Sequence, residues 1–129
     1  MTARDIKRIL LVEDEPDIQT IAKLALKSIG GFTVHACSSG REALAAVTAF
    51  NPDCVLLDVM MPGMDGPTVL KALRALPACA NTPVIFMTAR VQPSEVAQYK
   101  ELGALDVIAK PFDPITLADD IRRILGGQA

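Results

Sequence analysis

The sequence predicts a doubly wound α/β fold, because short apolar runs and amphipathic stretches alternate strictly along the chain. The apolar runs show no polar alternation, which is typical of parallel strands buried on both faces. Half of the 129 residues are hydrophobic, enough for one sizeable core but too few residues for two ordinary domains. We therefore expect residues 1–129 to form one domain.

The first two strand–helix units are predicted between residues 8 and 50. Residues 8–12 form a central strand, and Pro16 then opens a helix that a pair of glycines ends at residues 30–31. The apolar face predicted for that helix consists of Ile18, Ile21, Ala25 and Ile29, with Ala22 and Leu26 beside them. The second unit has a strand at 32–36 and a helix at 41–50, which Asn51-Pro52 stops.

Three further units follow the same pattern. The strands are predicted at 54–57, 84–87 and 106–109, and the helices at 67–76, 92–102 and 115–125. Gly103 is expected to cap the fourth helix. Five such units imply a (βα)5 three-layer sandwich with a parallel sheet, for which the flavodoxin-like strand order is 2-1-3-4-5. Ligands bind such sheets at the carboxyl ends of the strands, where the strand order reverses.

Polar side chains follow four of the five predicted strands. Glu13 and Asp14 follow the first, Asp58 the third, Thr88 the fourth and Lys110 the fifth. Three carboxylates at one sheet edge would repel one another and raise one another's pKa, which a hard cation relieves; Mg²⁺ fits best. Asp58 can then act as a nucleophile that forms an acyl phosphate, with the lysine and the hydroxyl stabilising the transferring oxygens.

Each of these residues also has an ordinary structural interpretation. Glu13-Asp14 can be a charge pair favoured by a helix N-terminus, and Asp58 can bond to its own turn. Thr88 can cap the following loop, and Lys110 can be a solvated lysine. Their coincidence at four strand ends favours a common site.

The order and spacing of these motifs resemble the receiver domain of bacterial two-component response regulators, the single-domain CheY-like type included. The resemblance covers essentially the whole chain. It rests on Glu13-Asp14, on Asp58 followed by Met61-Pro62-Gly63-Met64-Asp65-Gly66, on Thr88-Ala89 and on Lys110-Pro111-Phe112.

The resemblance implies roles for individual residues. Asp58 would accept a phosphoryl group from a histidine kinase or histidine phosphotransfer protein, and Lys110 would pair with that group. The peptide bond between Lys110 and Pro111 would be cis. Asp14, Asp58 and the Met60 main-chain carbonyl would bind Mg²⁺ directly, and Glu13 through water. Thr88 would swing toward a phosphoryl oxygen and report its presence. Phosphorylation would shift an existing equilibrium at the face made by helix four, strand five and helix five, which controls a partner protein.

One position departs from the family pattern. An aromatic residue is usual three positions before the lysine, but here that position is Val107. A valine cannot make the coupled rotamer change, so loop four and helix four are expected to carry the signal instead. Met60 and Arg90 vary among relatives and are expected to tune the lifetime of the acyl phosphate.

Composition excludes several other classes of protein. The net charge is -2 and no basic run occurs, so we expect neither direct nucleic-acid binding nor membrane binding. Cys37, Cys54 and Cys79 form no metal or redox motif, which suggests a reducing compartment. We find no apolar run long enough to span a membrane and no signal-peptide pattern, so we expect a soluble cytoplasmic protein. We expect a monomer or weak homodimer, and a stand-alone regulator is favoured over a receiver cut from a longer protein.

Two other functions compete with phosphoacceptance. A magnesium-dependent aspartyl phosphatase normally has a second Asp two residues after the nucleophile, but Met60 occupies that position. A receiver-like module that is not phosphorylated would have lost the acidic pair, the Asp or the Lys, and all of these are present. Neither a dinucleotide-binding glycine motif nor a P-loop occurs.

Overall fold

Residues 6–126 are described by a computed structural model, in which five parallel strands form one sheet. The strands are β1 (Arg8–Val12), β2 (Thr33–Cys37), β3 (Cys54–Asp58), β4 (Val84–Thr88) and β5 (Asp106–Ala109). The helices are α1 (Pro16–Leu24), α2 (Gly40–Phe50), α3 (Gly66–Ala75), α4 (Pro93–Glu101) and α5 (Leu117–Gly126). A π-helical turn follows α1 at Ala25–Ile29, and a 3-10 turn lies at Pro77–Cys79. The predicted order β2-β1-β3-β4-β5 is confirmed.

Two hydrophobic layers cover the faces of the sheet. Every residue of β3 and β4 is buried, which explains the apolar runs without alternation. Successive side chains of each strand point to opposite faces, so one layer packs with α1 and α5 and the other with α2 and α3. Cys54 lies in the first layer, and Cys37 and Cys79 lie in the second. Burial raises the pKa of the Cys54 thiol to about 12 and that of Cys37 to about 11.

The predicted inner face of the first helix was partly wrong. The buried residues are Ala22, Ala25 and Leu26, whereas Ile21 and Ile29 are about half exposed, at 46% and 54%. The small alanines let the helix approach the sheet closely. The hydrogen bond from Gly30 N to Ala25 O spans five residues, so the helix leaves the 3.6-residue period and Ile29 turns outward.

Other boundaries differ from the predicted ones by one or two residues. β2 begins at Thr33, which pairs with Arg8, while Phe32 packs into the core before the strand. α5 begins at Leu117 because Asp113 holds a preceding turn: its carboxylate accepts from Ile115 N at 2.9 Å and its carbonyl from Leu117 N at 3.0 Å. Over residues 6–126, none of the helices is long and apolar enough to cross a membrane.

α4 is the helix least embedded in the fold. It has no buried residue. Its N-terminus is closed by a capping box, in which the Glu95 carboxylate accepts from Gln92 N at 3.1 Å. After α4 the chain turns at Gly103, whose φ is +114°, a backbone conformation that side chains rarely adopt. Tyr99 of α4 is half-buried, and its ring lies edge-on to Phe86 of β4 with centroids 5.3 Å apart.

Candidate functional site

The carboxyl ends of four strands bring the predicted polar residues to one edge of the sheet. β1 runs directly into Glu13 and Asp14, β3 ends at Asp58, and β4 ends at Thr88. Lys110 follows β5, and its N–H donates to the Thr88 carbonyl at 2.9 Å. The parallel arrangement of β1, β3, β4 and β5 therefore determines the site.

Three carboxylates form a tight cluster at this edge. Glu13, Asp14 and Asp58 each offer an oxygen, and these oxygens all lie within 4.8 Å of one another. Glu13 is fully buried, Asp58 is 3% exposed, and Asp14 is half-buried. Carboxylates packed so closely repel one another unless a cation lies among them.

The Lys110 ammonium lies against this cluster. Its Nζ is 2.8 Å from Glu13 Oε1 and 3.3 Å from Asp58 Oδ1. Burial acts to lower the pKa of Lys110, but the hydrogen bond to Glu13 and the charge of Asp58 outweigh it, so the pKa is raised. The lysine therefore stays charged and partly compensates the three acids.

Compensation by the lysine is incomplete at Asp58. Its pKa is raised from 3.8 to about 7, first by burial and then by the negative charge of Glu13, against the opposing effect of Lys110. A second positive charge would lower it again. Buried and half-buried carboxylates with an uncompensated negative charge suit a hard divalent cation, and the donor set of three carboxylates fits one.

A small cavity of about 210 Å³ opens onto these residues. It is lined by Asp14, Glu15, Asp58, Met60, Thr88, Ala89 and Lys110. Glu13 lies beneath it, fully buried. Met60 is 66% exposed at the rim. A small anionic group can enter the cavity and reach both the Asp58 carboxylate and the Lys110 ammonium.

Thr88 caps the loop after β4 and also lines the cavity, so both roles considered for it are compatible with its position. Its side chain is nearly buried, and its Oγ1 accepts a hydrogen bond from Arg90 N at 3.0 Å, which stabilises the turn after β4. That bond uses a lone pair and leaves the hydroxyl proton available for a group in the cavity.

Two predicted tuning or switch residues lie away from the cavity. The exposed Arg90 guanidinium lies 3.8 Å from Glu95 Oε2, at the start of α4. Val107 is half-buried beside Phe86, its partner across β4 and β5, in the layer of α2 and α3. Neither residue lines the cavity, so any influence on the site would be indirect.

Sequence reasoning missed two residues that shape the site, Glu15 and Gln19, and named Gly66 only as part of the motif after Asp58. Glu15 lines the cavity and belonged to a visible acidic run. A Cβ on Gly66 would lie 2.8 Å from Val59 Cα and 2.9 Å from Asp58 O, so glycine is needed for this close approach. The side-chain amide of Gln19 donates to the Glu13 carbonyl at 2.9 Å. No sequence pattern signals that contact.

Comparison with known proteins is consistent with this arrangement. Residues 9–122 match the family model described as the response regulator receiver domain. The chain is 40% identical over 113 residues to the regulatory protein AtoC of Escherichia coli K12, covering 88% of this chain and 23% of that protein. It is 37% identical over 116 residues to the DNA-binding response regulator MtrA of Mycolicibacterium smegmatis, covering 90% of this chain and 49% of that one.

Solved structures resemble the chain over a larger share of their length. The chemotaxis response regulator CheY4 of Vibrio cholerae superposes with a TM-score of 0.86 at 32% identity, covering 93% of this chain and 99% of that chain. A putative response regulator of Chloroflexus aurantiacus superposes with a TM-score of 0.83 at 33% identity, covering 94% of this chain and 98% of that chain. By contrast, the chain spans only 23% to 50% of the curated relatives quoted above and of CseB from Streptomyces coelicolor.

Proposed function

Because this chain belongs to the response regulator receiver domain family, we propose that Asp58 accepts a phosphoryl group from a histidine kinase or histidine phosphotransfer protein. Mg²⁺ is the proposed cofactor. Phosphorylation then shifts the face made by α4, β5 and α5, and this face controls a partner protein. The proposed activity is confined to the protein's own phosphorylation and dephosphorylation.

The position of Asp58 carries this proposal. Its carboxylate is nearly buried yet lines a cavity, and it lies 3.3 Å from a lysine ammonium and beside two further carboxylates. A carboxylate that only closes its own turn would need neither the cavity nor the lysine. The elevated pKa of Asp58 is a further sign of a functional group.

The chemical step is a displacement at phosphorus. A carboxylate oxygen of Asp58 forms a bond to the phosphorus, and the bond from phosphorus to the donor's leaving atom breaks. That atom is the imidazole nitrogen of a phosphohistidine or an oxygen of a small acyl phosphate, and it keeps the electron pair. Later attack by water on the same phosphorus regenerates the Asp58 carboxylate.

The surrounding side chains have distinct roles in this step. Lys110, which contacts Asp58 before the reaction, pairs with the incoming phosphoryl oxygens. The Thr88 hydroxyl donates to one of them. Asp14, Asp58 and the Met60 carbonyl would hold Mg²⁺ directly, and Glu13 would hold it through water. The cation would neutralise charge on the phosphoryl oxygens. Met60 at the rim and Arg90 beyond it are proposed to limit the water that hydrolyses the acyl phosphate.

An apolar surface beside the site fits the proposed phosphodonor partner. Ile18 and Ile21 of α1, together with Pro111, Phe112 and Pro114 after β5, line a groove of about 410 Å³ next to Lys110. Ile21 is 46% exposed. A phosphodonor protein that packs on this groove would bring its phosphohistidine to Asp58. The weakly embedded α4 lies on the other layer, where a downstream partner can bind at the same time.

The proposal is tested by phosphorylation with acetyl phosphate, followed by intact mass measurement. The wild-type protein should gain one phosphate adduct in Mg²⁺, and should gain none when the metal is chelated. Asp58→Asn should gain none in either condition, because an amide oxygen is a poor nucleophile.

A matched control comes from the exposed Asp119 of α5. Asp119→Asn removes the same charge at a position that does not line the cavity, so its adduct should form as in the wild type. Measurable Mg²⁺ binding without any adduct on the wild type would reject the phosphoacceptor role and favour a receiver-like interaction module.

A further inference from the structure

We propose that Gln19 is a positioning residue that shapes the acidic loop, residues 13–15, for Mg²⁺. The proposal rests on the proposed function, since it concerns the same metal site. Gln19 lies in the first turns of α1 and does not line the cavity described above. Its effect is therefore exerted through the main chain of Glu13.

The sheet hydrogen bonds explain why a side chain is needed at this point. Glu13 N donates to Cys37 O at 3.0 Å, which extends the β1–β2 ladder by one bond. In a parallel pair the next bond would come to the Glu13 carbonyl from residue 39. The chain turns there into α2, with Ser39 as its N-cap. The Gln19 side chain supplies the donor instead, at 2.9 Å.

The same amide group also holds the end of β2. Gln19 Nε2 lies 3.2 Å from Cys37 O and 3.2 Å from Ser38 Oγ, in addition to its bond to Glu13 O. One side chain thus joins the loops that follow β1 and β2. A carbonyl left without a donor in such a half-buried place is unfavourable, so the amide stabilises one position of the Glu13 main chain.

The Glu13 side chain is held as firmly as its main chain. Its Oε2 accepts from Glu15 N at 3.1 Å and its Oε1 accepts from Lys110 at 2.8 Å. Glu13 is therefore fixed at four points: its N–H bonds to Cys37, its two carboxylate oxygens bond to Glu15 and Lys110, and its carbonyl is held by Gln19. Loss of this last point would let the Glu13 and Asp14 oxygens move relative to Asp58 while leaving all three carboxylates present.

A comparison of Mg²⁺ and Ca²⁺ affinities would detect such movement of the carboxylates. Mg²⁺ requires near-ideal octahedral geometry with short bonds, whereas Ca²⁺ accepts longer bonds and irregular geometry. A less rigid carboxylate set of the same charge should therefore lose affinity for Mg²⁺ much more than for Ca²⁺. A general loss of folding would reduce both affinities together.

The test is calorimetric titration of Gln19→Met with MgCl₂ and with CaCl₂, at a temperature where circular dichroism shows the protein folded. Methionine keeps the length and flexibility of glutamine but has no N–H donor. The Mg²⁺ dissociation constant should rise about tenfold, and the Ca²⁺ constant should change less than about twofold. At saturating Mg²⁺, the rate of adduct formation with acetyl phosphate should return to near the wild-type rate.

Gln98→Met on the exposed face of α4 is the matched control and should leave both constants unchanged. Should Gln19→Met not fold, Gln19→Asn keeps an amide one methylene shorter, which cannot reach all three acceptors, and should shift the Mg²⁺ constant in the same direction. Unchanged Mg²⁺ affinity, or an equal loss for both cations, would overturn the positioning role alone. A wild-type protein that binds no Mg²⁺ would overturn the proposed function as well.

Discussion

At the scale of single residues, Asp58 combines a buried charge with a reactive position. Its folded-state pKa of about 7 exceeds its ordinary value of 3.8, so ionised Asp58 destabilises the folded protein when the metal is absent. Nucleophilic attack nevertheless needs that ionised form. The proposed nucleophile therefore carries a charge that is unfavourable for folding, a balance that one substitution of Asp58 can test.

This balance predicts the pH dependence of stability. Between about pH 4 and pH 7 the folded protein binds a proton at Asp58 that the unfolded chain releases, so this group's contribution to the free energy of unfolding falls as the pH rises through 7. In the metal-free protein, Asp58→Asn should be more stable than the wild type at about pH 8, by about 1–2 kcal/mol.

Urea unfolding in a chelating buffer, repeated at several pH values, measures this difference. The gap between Asp58→Asn and the wild type should narrow toward about pH 5, where the carboxyl group is protonated. A gap that stays constant, or that widens on the acid side, would show that charge at Asp58 does not destabilise the fold.

At the scale of elements, α4 is the helix best placed to change position. It buries no residue, and its Tyr99 ring contacts Phe86 of the sheet. Phe86 and Thr88 lie two residues apart on β4 and so point to the same face. Val107 cannot supply an aromatic switch, so movement at Thr88 is expected to reach the surface through α4.

Tyr99→Ala should therefore loosen α4 selectively. Loss of the ring contact should speed amide hydrogen exchange in α4 about tenfold, since such aromatic pairs contribute about 1 kcal/mol beyond their buried area. Exchange in α3 should stay the same. Tyr99→Phe keeps the ring and should behave as the wild type. Equal exchange in α4 of all three proteins would mean that other contacts hold this helix.

At the scale of the whole molecule, one side chain of α3 joins the loops that precede β4 and β5. Arg74 of α3 donates to Cys79 O at 2.9 Å, to Thr82 O at 2.8 Å and to Gly103 O at 3.3 Å. These carbonyls precede β4 and β5. One guanidinium group thus connects α3 to the entry of two strands.

Arg74→Met should lower the free energy of unfolding by about 2–3 kcal/mol, because three carbonyls lose a charged donor. The measurement is urea denaturation followed by circular dichroism. Arg41→Met, at an exposed position of α2, should change stability by less than about 0.5 kcal/mol. A comparably small effect at Arg74 would mean that water replaces its hydrogen bonds at little free-energy cost.

Sequence patterns predicted those parts of the fold that depend only on which residues are buried. The runs at β1, β3 and β4 are apolar throughout because both faces are covered, and their order follows from strict alternation with helices. Because parallel strands end at one edge, Asp58 and Lys110 could be placed together without coordinates. Apolar periodicity failed at Ile21 and Ile29, where small alanines and a π-helical turn rotate α1.

Contacts that depend on one side chain reaching across space were not predictable. Gln19 reads as an ordinary helix residue, and the Glu13 carbonyl needs its side-chain donor only because β2 ends at Cys37. The need for glycine at position 66 arises from the closeness of Val59 and the Asp58 carbonyl, not from local backbone torsion. Arg74 likewise acts on two loops that lie apart in sequence.

The three buried thiols divide between the two layers: Cys54 lies under α1 and α5, whereas Cys37 and Cys79 lie under α2 and α3. Alkylation needs an exposed thiolate, and burial suppresses both exposure and ionisation. The alkylation rate of each thiol therefore reports how often its own layer opens to solvent. Mass mapping of alkylated peptides would show which side of the sheet opens first, with no engineered label.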